Sequence, residues 1–532
     1  MSHSQTSVVL NDLGFTWPDG SIALAGVTAA FGPGRTGLIG TNGSGKSTLL
    51  RLIAGELTPT TGAVTASGQV GYLPQTLTLA ADPSVAELLG VAEVLAALHA
   101  IESGDIGDRH FETVGDDWDI NTRARAALAD IGLGAVDLGR PVATVSGGEA
   151  MLIAVTGLRL RRAAVTLLDE PTNNLDRGAR AALHRSIADW PGAVVIVSHD
   201  VALLELMDHT AELHGGELTV FGGPYSQWRA HLETEQAAAA QAARAADQAA
   251  RVQQRQRAEA ETKLARRNRA GKKAYAEKRV PKIVANGRAM AAQVSAGKFR
   301  SDHEGRLQAA RQSAEAAAAR VREDEHIRVE LPDPVVPAGR RLAELRGPGG
   351  VLVVQGPERI GIVGPNGIGK TTFLEALLCS EEALAGRLLT DRVGYLPQRL
   401  GASAAGLDDA TTVLAAVHAV APDAGAERIR GQLARFLLRG DSVHRPVGTL
   451  SGGERFRVAL ARVLLAEPPP QLIILDEPTN NLDITSVDQL VDALRSYRGA
   501  VIVVSHDDDF LRRLELDRIL TMAAPGVVTE AR

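Results

Sequence analysis

The nine-residue stretch "LDEPTNNLD" occurs twice in this 532-residue sequence, at residues 168–176 and again at residues 475–483. Each copy completes a run of apolar residues, "AAVTLLDE" in the first case and "QLIILDE" in the second. A core segment repeated by chance would keep its hydrophobic pattern but not its Asp, Glu, Pro, Thr and paired Asn. The repeat therefore indicates that the chain holds one chemical arrangement twice.

Four further motifs repeat in the same order, which predicts two equivalent domains. They are "GLIGTNGSGKST" (37–48) with "GIVGPNGIGKTT" (361–372), "VGYLPQ" (70–75) with "VGYLPQ" (393–398), "VSGGE" (145–149) with "LSGGE" (450–454), and "VIVSHD" (195–200) with "VIVVSHD" (501–507). We predict a first domain over residues 1–228 and a second over 330–532. Gln75 and Ser146 are 71 residues apart, but Gln398 and Ser451 only 53, which places a short arm-like insertion within about residues 76–130.

The residues between the two halves, 229–329, have a different composition. From Tyr225 to Ala270 there is no Gly or Pro, and Ala, Gln, Arg and Glu predominate, which predicts one long helix. Helix-breaking residues then follow, before a second helical pattern begins at Arg306; they are Gly271, Pro281, Gly287, Gly297 and Gly305. We therefore predict a helical hairpin with its tip at about residues 270–300, since a flexible linker would be rich in Gly, Ser or Pro.

This connector is strongly basic. Residues 263–300 contain twelve Lys and Arg against one acidic residue, whereas the remaining chain has 45 basic and 62 acidic residues. A long run of one sign predicts a polyanionic partner such as RNA, although a solvated helix face is the simpler alternative. The candidate contact residues at the tip are Lys272, Lys273, Tyr275, Lys278, Arg279 and Lys282.

Other features exclude several classes of protein. One cysteine, Cys379, argues against a disulfide framework and a cysteine-based zinc site and suits a reducing compartment. The first residues lack a signal-peptide pattern, and no apolar run reaches the 18 or so residues that span a bilayer. We expect a soluble, cytoplasmic protein.

Each half contains the pattern G-x-x-x-x-G-K-[ST], at residues 40–47 and 364–371. In such a phosphate-binding loop (P-loop), backbone N–H groups surround phosphates, a lysine adds positive charge and a hydroxyl ligates Mg²⁺. ATP and Mg²⁺ are therefore the predicted ligands. The candidate ATP-binding residues of the loops are Gly40, Asn42, Gly43, Gly45, Lys46, Ser47 and Thr48 in the first half and Gly364, Asn366, Gly367, Gly369, Lys370, Thr371 and Thr372 in the second.

The repeated acids follow runs that read as buried parallel strands, which end beside the P-loop. Asp169 and Asp476 suit an Mg²⁺-holding role, together with Ser47, Thr371, Gln75 and Gln398. Glu170 and Glu477 are placed to take a proton from the attacking water. His199 and His506 are interpreted as sensors of the γ-phosphate, because a purely structural histidine would not recur at the offset of the acids.

In this order, the P-loop, the glutamine, the SGG(E/Q) signature, the acidic motif and the histidine resemble the nucleotide-binding domains of ABC ATPases. Twin domains, the wording "DEPTNNLD" and a charged helical connector of roughly 100 residues resemble the ABC-F family. The resemblance implies an α/β fold with two P-loop ABC-type domains joined by a long α-helical hairpin. It also implies a monomer in which two ATP molecules lie between head-to-tail domains. The signature residues expected to contact ATP are Ser146, Gly147, Gly148, Ser451, Gly452 and Gly453.

The resemblance further implies an ATP hydrolase that binds the ribosome when loaded with ATP and leaves on hydrolysis, contacting rRNA and P-site tRNA through the connector. Ribosome protection that confers antibiotic resistance is the expected role, with a general translation-regulating factor as the alternative. The ATPase subunit of a membrane transporter is an alternative of another class, but a basic hairpin has no use there.

The two predicted ATP sites are not identical. Trp17 lies 29 residues before Lys46, where it suits stacking on adenine, whereas the second half has no aromatic residue between Leu331 and Gly369. The first signature, "VSGGEAMLIAVTGLRL", lacks the arginines of "LSGGERFRVALARVLL" and is expected to lack the usual helix as well. We therefore predict that the site built from Lys370 and Ser146 is the weaker one.

Overall fold

The computed structural model describes residues 8–77, 83–173, 175–276, 282–322, 331–348, 350–379, 385–398, 407–480 and 482–530. The chain divides into two compact units. One unit contains both repeated halves, Met1–Tyr225 and His326–Arg532, and the other is the connector, Ser226–Glu325.

The first half alternates strands and helices. Its strands are β1 (Val8–Thr16), β2 (Ile22–Phe31), β3 (Gly34–Ile39), β4 (Thr61–Ala66), β5 (Val70–Leu73), β6 (Val165–Asp169), β7 (Ala193–Val197), β8 (His209–His214) and β9 (Glu217–Gly222). Its helices are α1 (Lys46–Ile53), α2 (Val85–Leu89), α3 (Ala92–Glu102), α4 (Asp108–Val114), α5 (Ile120–Asp130), α6 (Gly147–Arg161), α7 (Arg177–Ala188) and α8 (Val201–Leu204).

The connector consists of α9 (Tyr225–Ala276) and α10 (Lys282–Ala318). The strands of the second half are β10 (Arg341–Gly347), β11 (Gly350–Gln355), β12 (Arg359–Val363), β13 (Gly386–Leu388), β14 (Val393–Leu396), β15 (Leu472–Asp476), β16 (Ala500–Val504), β17 (Arg518–Ala524) and β18 (Val527–Glu530). Its helices are α11 (Lys370–Leu378), α12 (Val413–His418), α13 (Ala426–Arg435), α14 (Gly452–Leu464), α15 (Ile484–Ser496) and α16 (Asp508–Arg513).

The two halves have the same main sheet. The strand order is β5-β6-β7-β3-β8-β9 in the first half and β14-β15-β16-β12-β17-β18 in the second. The pairs are parallel except for the last, β8–β9 and β17–β18. Every residue of β6 and β15 is buried, as expected for continuous apolar runs in the middle of a parallel sheet. The predicted α/β fold with two P-loop domains is confirmed.

A smaller antiparallel sheet accompanies each main sheet, with orders β2-β1-β4 and β11-β10-β13. The β1–β2 hairpin turns over residues 17–21, whereas β10 and β11 are separated only by residues 348 and 349. The hairpin that carries Trp17 in the first half is therefore longer than its counterpart.

The first half has two additional helices, α3 and α4, between α2 and α5. In the second half α12 is followed directly by α13 among the residues that the structure describes. The extra helices lie within the range 76–130 where the spacing of the motifs predicts an insertion. Residues 78–82 of that range are outside the described part.

The connector helices are longer than the sequence predicts, since α9 spans 52 residues and α10 spans 37. The expectation that glycines break the helix near residue 270 is wrong, because Gly271, Gly287, Gly297 and Gly305 all lie inside helices. A glycine costs only about 1 kcal/mol in a helix, and the surrounding Ala, Lys, Arg and Gln are strong helix formers. At about 1.5 Å per residue, α9 is roughly 80 Å long.

Within the connector, the two helical segments contact each other at more than one position along their length. The Arg257 guanidinium lies 2.8 Å from the Glu304 carboxylate, and the Arg322 amide donates to Gln236 Oε1 at 2.7 Å. Leu307 of α10 is 98% buried. These contacts make the connector a helical hairpin. In the described parts of the chain, we find no helix with the length and apolar character needed to cross a membrane.

Candidate active site

The first P-loop joins β3 to α1 and turns sharply through glycines. Gly43 and Gly45 have φ of 84° and 101°, a conformation that favours glycine, and a Cβ on Gly40 would lie 2.5 Å from the Leu213 carbonyl oxygen. Lys46 Nζ donates to the carbonyl oxygens of Gly40 at 2.7 Å and Thr41 at 3.1 Å. The lysine therefore closes the loop on itself and holds the backbone amides in a ring, the geometry that cradles phosphates.

The second P-loop, between β12 and α11, repeats this geometry. Lys370 Nζ donates to the carbonyl oxygens of Gly364 and Pro365, both at 3.0 Å. It also lies 2.8 Å from His506 Nε2. Each histidine also lies close to the glutamate of its own half, His199 at 3.1 Å from the Glu170 carboxylate and His506 at 3.3 Å from the Glu477 carboxylate.

The paired acids lie at the carboxyl ends of β6 and β15. Asp169 and Asp476 are the last residues of these strands, and both are almost completely buried. Glu170 and Glu477 follow with φ of 50° and 46°, values that are uncommon for a residue with a side chain. Such conformations cost of order 1–3 kcal/mol and are found mainly at functional sites, where the surrounding structure enforces them.

Burial changes the proton affinities of these groups. It raises the pKa of Glu170 to about 8 and that of Glu477 to about 7, against the partly compensating charges of Lys46 and Lys370. Burial, with a smaller contribution from the charge of the neighbouring lysine, lowers the pKa of His199 to about 3 and that of His506 to about 4. A carboxyl group whose pKa lies near 7 is suited to act as a general base. An imidazole that stays neutral is suited to form hydrogen bonds.

The two halves meet directly at the P-loops. The Asn42 amide donates to Asp483 Oδ2 of the opposite half at 2.8 Å, and the Asn366 amide donates to Asp176 Oδ2 at 3.3 Å. Asp483 also caps α15 by accepting from the Ser486 amide at 2.7 Å. Neither Asp176 nor Asp483 was among the predicted site residues. Their position inside the exact repeat was the signal that could have indicated a role at the contact between the halves.

A cavity of about 580 Å³ opens at the first P-loop and contains residues of both halves. The residues that line it include Trp17, Asn42, Gly43, Gly45, Lys46, Ser47, Thr48, Gln75, Asp169, Glu170, His199 and, from the opposite signature, Gly452. Asn173 lines it too and was not among the predicted residues. This cavity brings together most of the candidates predicted for the first site, whereas Gly40, Ser451 and Gly453 are not among its lining residues.

The signature motifs begin helices in both halves. Ser146 and Ser451 each cap a helix in a reciprocal capping box with Glu149 and Glu454. The expectation that no helix follows the first signature is wrong, since α6 extends for 15 residues. Nine of its residues are buried, so it is apolar on several sides and lacks the polar face by which a surface helix is recognised. Ser146, Gly147 and Gly148 lie at its start, as Ser451, Gly452 and Gly453 do for α14.

The residues near the acids fit a magnesium ion. Asp169 Oδ1 is buried without a hydrogen-bond partner, and Ser47, Gln75 and Asp169 line the same cavity. Burial raises the pKa of Asp169, and a hydrogen bond from the Ser47 hydroxyl partly offsets this rise. In the second half, burial likewise raises the pKa of Asp476, and the Thr371 hydroxyl partly offsets the rise. Hydroxyl, amide and carboxylate oxygens are the donors that Mg²⁺ prefers. In the second half, Gln398 is exposed and precedes residues 399–406, which are not described.

Trp17 is half-buried and contacts Phe15 edge-on, with ring centroids 4.9 Å apart. It packs on the hydrophobic core of the first half and also borders the cavity, so a packing role does not exclude the predicted stacking on adenine. The candidates at the hairpin tip are placed less fully. Lys272 and Lys273 lie in α9 and Lys282 begins α10, with Lys273 exposed, whereas Lys278 and Arg279 are outside the described residues.

Comparison with known proteins agrees with this geometry. The sequence profile of the family described as ABC transporter matches residues 25–173 and 352–480. The tylosin resistance ATP-binding protein TlrC of Streptomyces fradiae is 33% identical over 92% of this chain and 92% of its own length. The energy-dependent translational throttle protein EttA of Mycobacterium tuberculosis is 30% identical, over 92% of this chain and 87% of its own.

ABC transporter F family member 5 of Arabidopsis thaliana is 29% identical over 90% of this chain and 70% of its own length. Among solved structures, the archaeal ribosome recycling factor aABCE1, in complex with the ribosomal stalk protein aP1, superposes with a TM-score of 0.55. The sequence identity is 20%, and the match covers 98% of this chain and 89% of that one, so the likeness concerns the fold. Duplicated P-loops, acids and signatures, together with relatives that match over nearly the whole chain, identify an ATP hydrolase that belongs to the ABC-F family of ABC ATPases.

Proposed function

We propose that two ATP molecules bind between the halves, each held by the P-loop of one half and the signature of the other. The first centre comprises Trp17, Lys46, Glu170 and His199 with residues 451–453, and the second comprises Lys370, Glu477 and His506 with residues 146–148. The observation that carries this proposal is the cavity that places Gly452 of one half opposite Lys46 of the other.

In the first centre, the P-loop amides and Lys46 bind the β- and γ-phosphates, and Trp17 stacks on the adenine. Glu170 takes the proton of the attacking water, because burial has raised its pKa to about 8. His199 binds the γ-phosphate as a neutral imidazole. Mg²⁺, when bound, neutralises charge on the β- and γ-phosphates; Ser47, Gln75 and Asp169 would hold it here, and Thr371, Gln398 and Asp476 in the second centre.

We further propose that ATP draws the two halves together at their contact surface, which we call the joint. This closure fixes the connector in a pose that binds the ribosome, and hydrolysis of ATP releases it. A γ-phosphate that gates two states of a protein is a common switch. The direct partners would be rRNA and P-site tRNA, which the basic segment 263–300 attracts through their phosphates. In support, one relative is named for translation and another for resistance to tylosin.

Sedimentation with ribosomes tests this proposal. The double variant Glu170→Gln, Glu477→Gln should bind ATP without hydrolysing it, and we expect it to sediment with ribosomes in ATP but not in ADP. The matched control adds Lys46→Ala and Lys370→Ala to that variant, which removes phosphate binding and should abolish the ATP effect. Absence from ribosomes in ATP, with recovery in membrane fractions, would favour a transporter subunit instead.

The finer proposal is that the protein protects ribosomes from an antibiotic. Expression in a susceptible bacterium should raise the inhibitory concentration of a ribosome-targeting macrolide such as tylosin, and the double glutamine variant should not. The alternative, a general translation-regulating factor, is favoured by the similarity to EttA. It predicts unchanged susceptibility to a panel of ribosome-targeting antibiotics, together with an ATP-dependent change in the rate of translation in vitro.

A further inference from the structure

The first half has a second cavity, of about 980 Å³, which shares no lining residue with the cavity at the first P-loop. It is lined by residues of α5, α6 and α7 and of the turns that follow these helices. Small side chains leave room between the helices; they are Ala126, Ala127, Ala163, Ala164 and Ala182. A cavity of this volume is large enough to receive a ligand.

The charged side chains of this cavity are four arginines, Arg123, Arg159, Arg162 and Arg185, and two acids, Asp130 and Asp189. Arg123 forms an ion pair with Asp117 at 2.8 Å. The other three arginines form no ion pair with any residue that the structure describes. We call this cavity the arginine cleft. It presents three cations whose charge the described part of the chain does not neutralise by a direct contact.

A positive cleft is unexpected in this half of the chain. Residues 1–225 contain 25 acidic and 13 basic residues, and six of the 13 basic residues lie between positions 159 and 185. Basic residues that are scarce overall but concentrated at one place indicate a binding site for an anion.

The second half does not repeat this charge. With the offset of 305 residues between the signatures, Arg159 corresponds to Leu464, and with the offset of 307 between the acidic motifs, Arg185 corresponds to Asp492. Cations at the end of a helix also stabilise the helix. The last turns of α14 and α15 carry such cations at other positions, Arg462 and Arg495. The ends of these helices therefore do not require arginine at the positions that line the cleft.

Arg162 has a backbone conformation that favours glycine. It follows the last residue of α6 with φ of 50°, in the left-handed region where helices commonly place a glycine. A residue with a side chain is less stable there, and such conformations occur mainly at functional sites. The turn leaves both Arg159 and Arg162 on the lining of the cleft. This arrangement indicates a use for the Arg162 side chain.

The composition of the cleft favours phosphate groups of a nucleic acid backbone. A guanidinium group is planar and donates two parallel hydrogen bonds to the oxygens of one phosphate. Among the lining residues that the structure describes there is no aromatic side chain on which an unpaired base could stack. Double-helical RNA has its bases stacked inside and is recognised by its shape, its phosphates and its 2′-hydroxyl groups.

We propose that Arg159, Arg162 and Arg185 bind backbone phosphates of double-helical RNA and hold the first half on the ribosome without reading base sequence. The inference rests on the ribosome binding proposed above, and it adds a contact that lies outside the connector.

Affinity for an RNA hairpin of about 16 base pairs, measured by fluorescence anisotropy with the full-length chain, tests the cleft. Arg159→Gln with Arg185→Gln should weaken binding at low salt at least about tenfold. It should also lower the slope of log affinity against log salt by about two, since each phosphate contact contributes about one. A second hairpin of unrelated sequence should show the same loss, because phosphates carry no sequence information.

The matched control is Arg109→Gln with Arg125→Gln, which removes two exposed charges from α4 and α5 of the same half, outside the cleft. It should change the affinity less than about twofold, and the connector contributes equally to both variants. Equal losses in the two variants would mean that only net charge matters, and no loss in the cleft variant would mean that the cleft does not bind RNA. Either result would overturn the proposal.

Arg162→Gly removes the third guanidinium with little risk to the fold, since glycine adopts the observed φ readily. It should lower the salt slope by about one and leave thermal unfolding within a few degrees of the parent. The cleft variants should also hydrolyse ATP within about twofold of the parent rate. A loss of thermal stability with unchanged affinity for RNA would overturn the proposal, because the arginines would then only stabilise helix ends.

Two further measurements identify the partner. Carboxylates also pair with arginine, so polyglutamate that binds as tightly as the hairpin, and loses affinity equally in the cleft variant, would overturn RNA as the ligand. In the Glu170→Gln, Glu477→Gln background with ATP, the cleft variant should leave ribosomes at a lower KCl concentration than its parent. If that background does not sediment with ribosomes at all, the proposed function is wrong, whereas the hairpin measurement still decides whether the cleft binds RNA.

Discussion

Replacing Asp483 is an informative test of the contact between the two halves, because its two carboxylate oxygens accept hydrogen bonds from different partners. Oδ1 caps α15 by accepting from the Ser486 amide at 2.7 Å, and Oδ2 accepts from the Asn42 amide of the opposite half at 2.8 Å. Asp483→Ser keeps a capping hydroxyl but is too short to reach Asn42. The substitution therefore removes the contact across the joint and largely preserves the helix start.

The expected loss follows from the burial of the contact. Asp483 is 93% buried, and a hydrogen bond to a charged group contributes about 1.5–3 kcal/mol. This corresponds to an increase of about 10- to 150-fold in the ATP concentration needed for half-maximal hydrolysis at the first centre. The matched variant, Asp176→Ser, breaks a longer contact of 3.3 Å at a more exposed site, for which we expect about 10-fold or less.

The assay is steady-state ATP hydrolysis with Glu477→Gln in the background for Asp483 and Glu170→Gln for Asp176. Thermal unfolding without nucleotide serves as the control for folding, and both serine variants should stay within a few degrees of their parents. Equal effects at the two centres, or a loss of thermal stability without a change in KM, would refute the reasoning.

Three further predictions concern single groups. Glu170→Gln should abolish more of the total hydrolysis than Glu477→Gln, because Trp17 borders only the first P-loop and Lys370 is engaged by His506; equal losses measured by phosphate release would contradict this. Trp17→Ala should raise KM at the first centre about 10-fold, and Trp17→Phe much less, since base stacking contributes about 1–3 kcal/mol; an unchanged nucleotide titration would argue for a packing role alone. The pKa values of Glu170 and Glu477 are raised in the folded chain, so above pH 4.5 the folded chain binds more protons than the unfolded one. The free energy of unfolding of the protein therefore falls as the pH rises toward 7–8. The double glutamine variant without nucleotide should therefore melt above the parent by at least about 3 °C at pH 8.5, with the difference vanishing below about pH 4; a constant difference across this range would contradict the assignment.

The repeated motifs were sufficient to predict the two α/β halves and most of the residues that line the cavity at the first P-loop. Their predictive strength comes from chemistry that requires particular residue types at fixed spacing, as in the P-loop and in the acids after β6 and β15. These constraints do not depend on the rest of the chain, so they can be recognised without a structure.

Features that depend on packing were harder to predict. The glycines of the connector suggested breaks in the helices. However, the cost of one glycine in a helix is small compared with the summed helix propensity of the many strong helix formers around it. The helix after the first signature lacked the expected arginines, and its burial on several sides hides the amphipathic pattern by which helices are recognised.

The contacts across the joint could not be read from local sequence at all. Arg177 follows the point where the exact repeat ends, and nothing near it in the sequence indicates that it forms an ion pair with Asp508 of the other half.

The central claim is that each centre is completed by the signature of the opposite half, and a matched pair of substitutions tests it most directly. Ser451→Ala and Ser146→Ala each remove the cap of one helix, so their cost in stability should be similar. We predict that Ser451→Ala abolishes hydrolysis in the Glu477→Gln background, where Glu170 works, and spares it in the Glu170→Gln background. The opposite pattern, in which Ser451→Ala silences only the centre of its own half, would contradict the account.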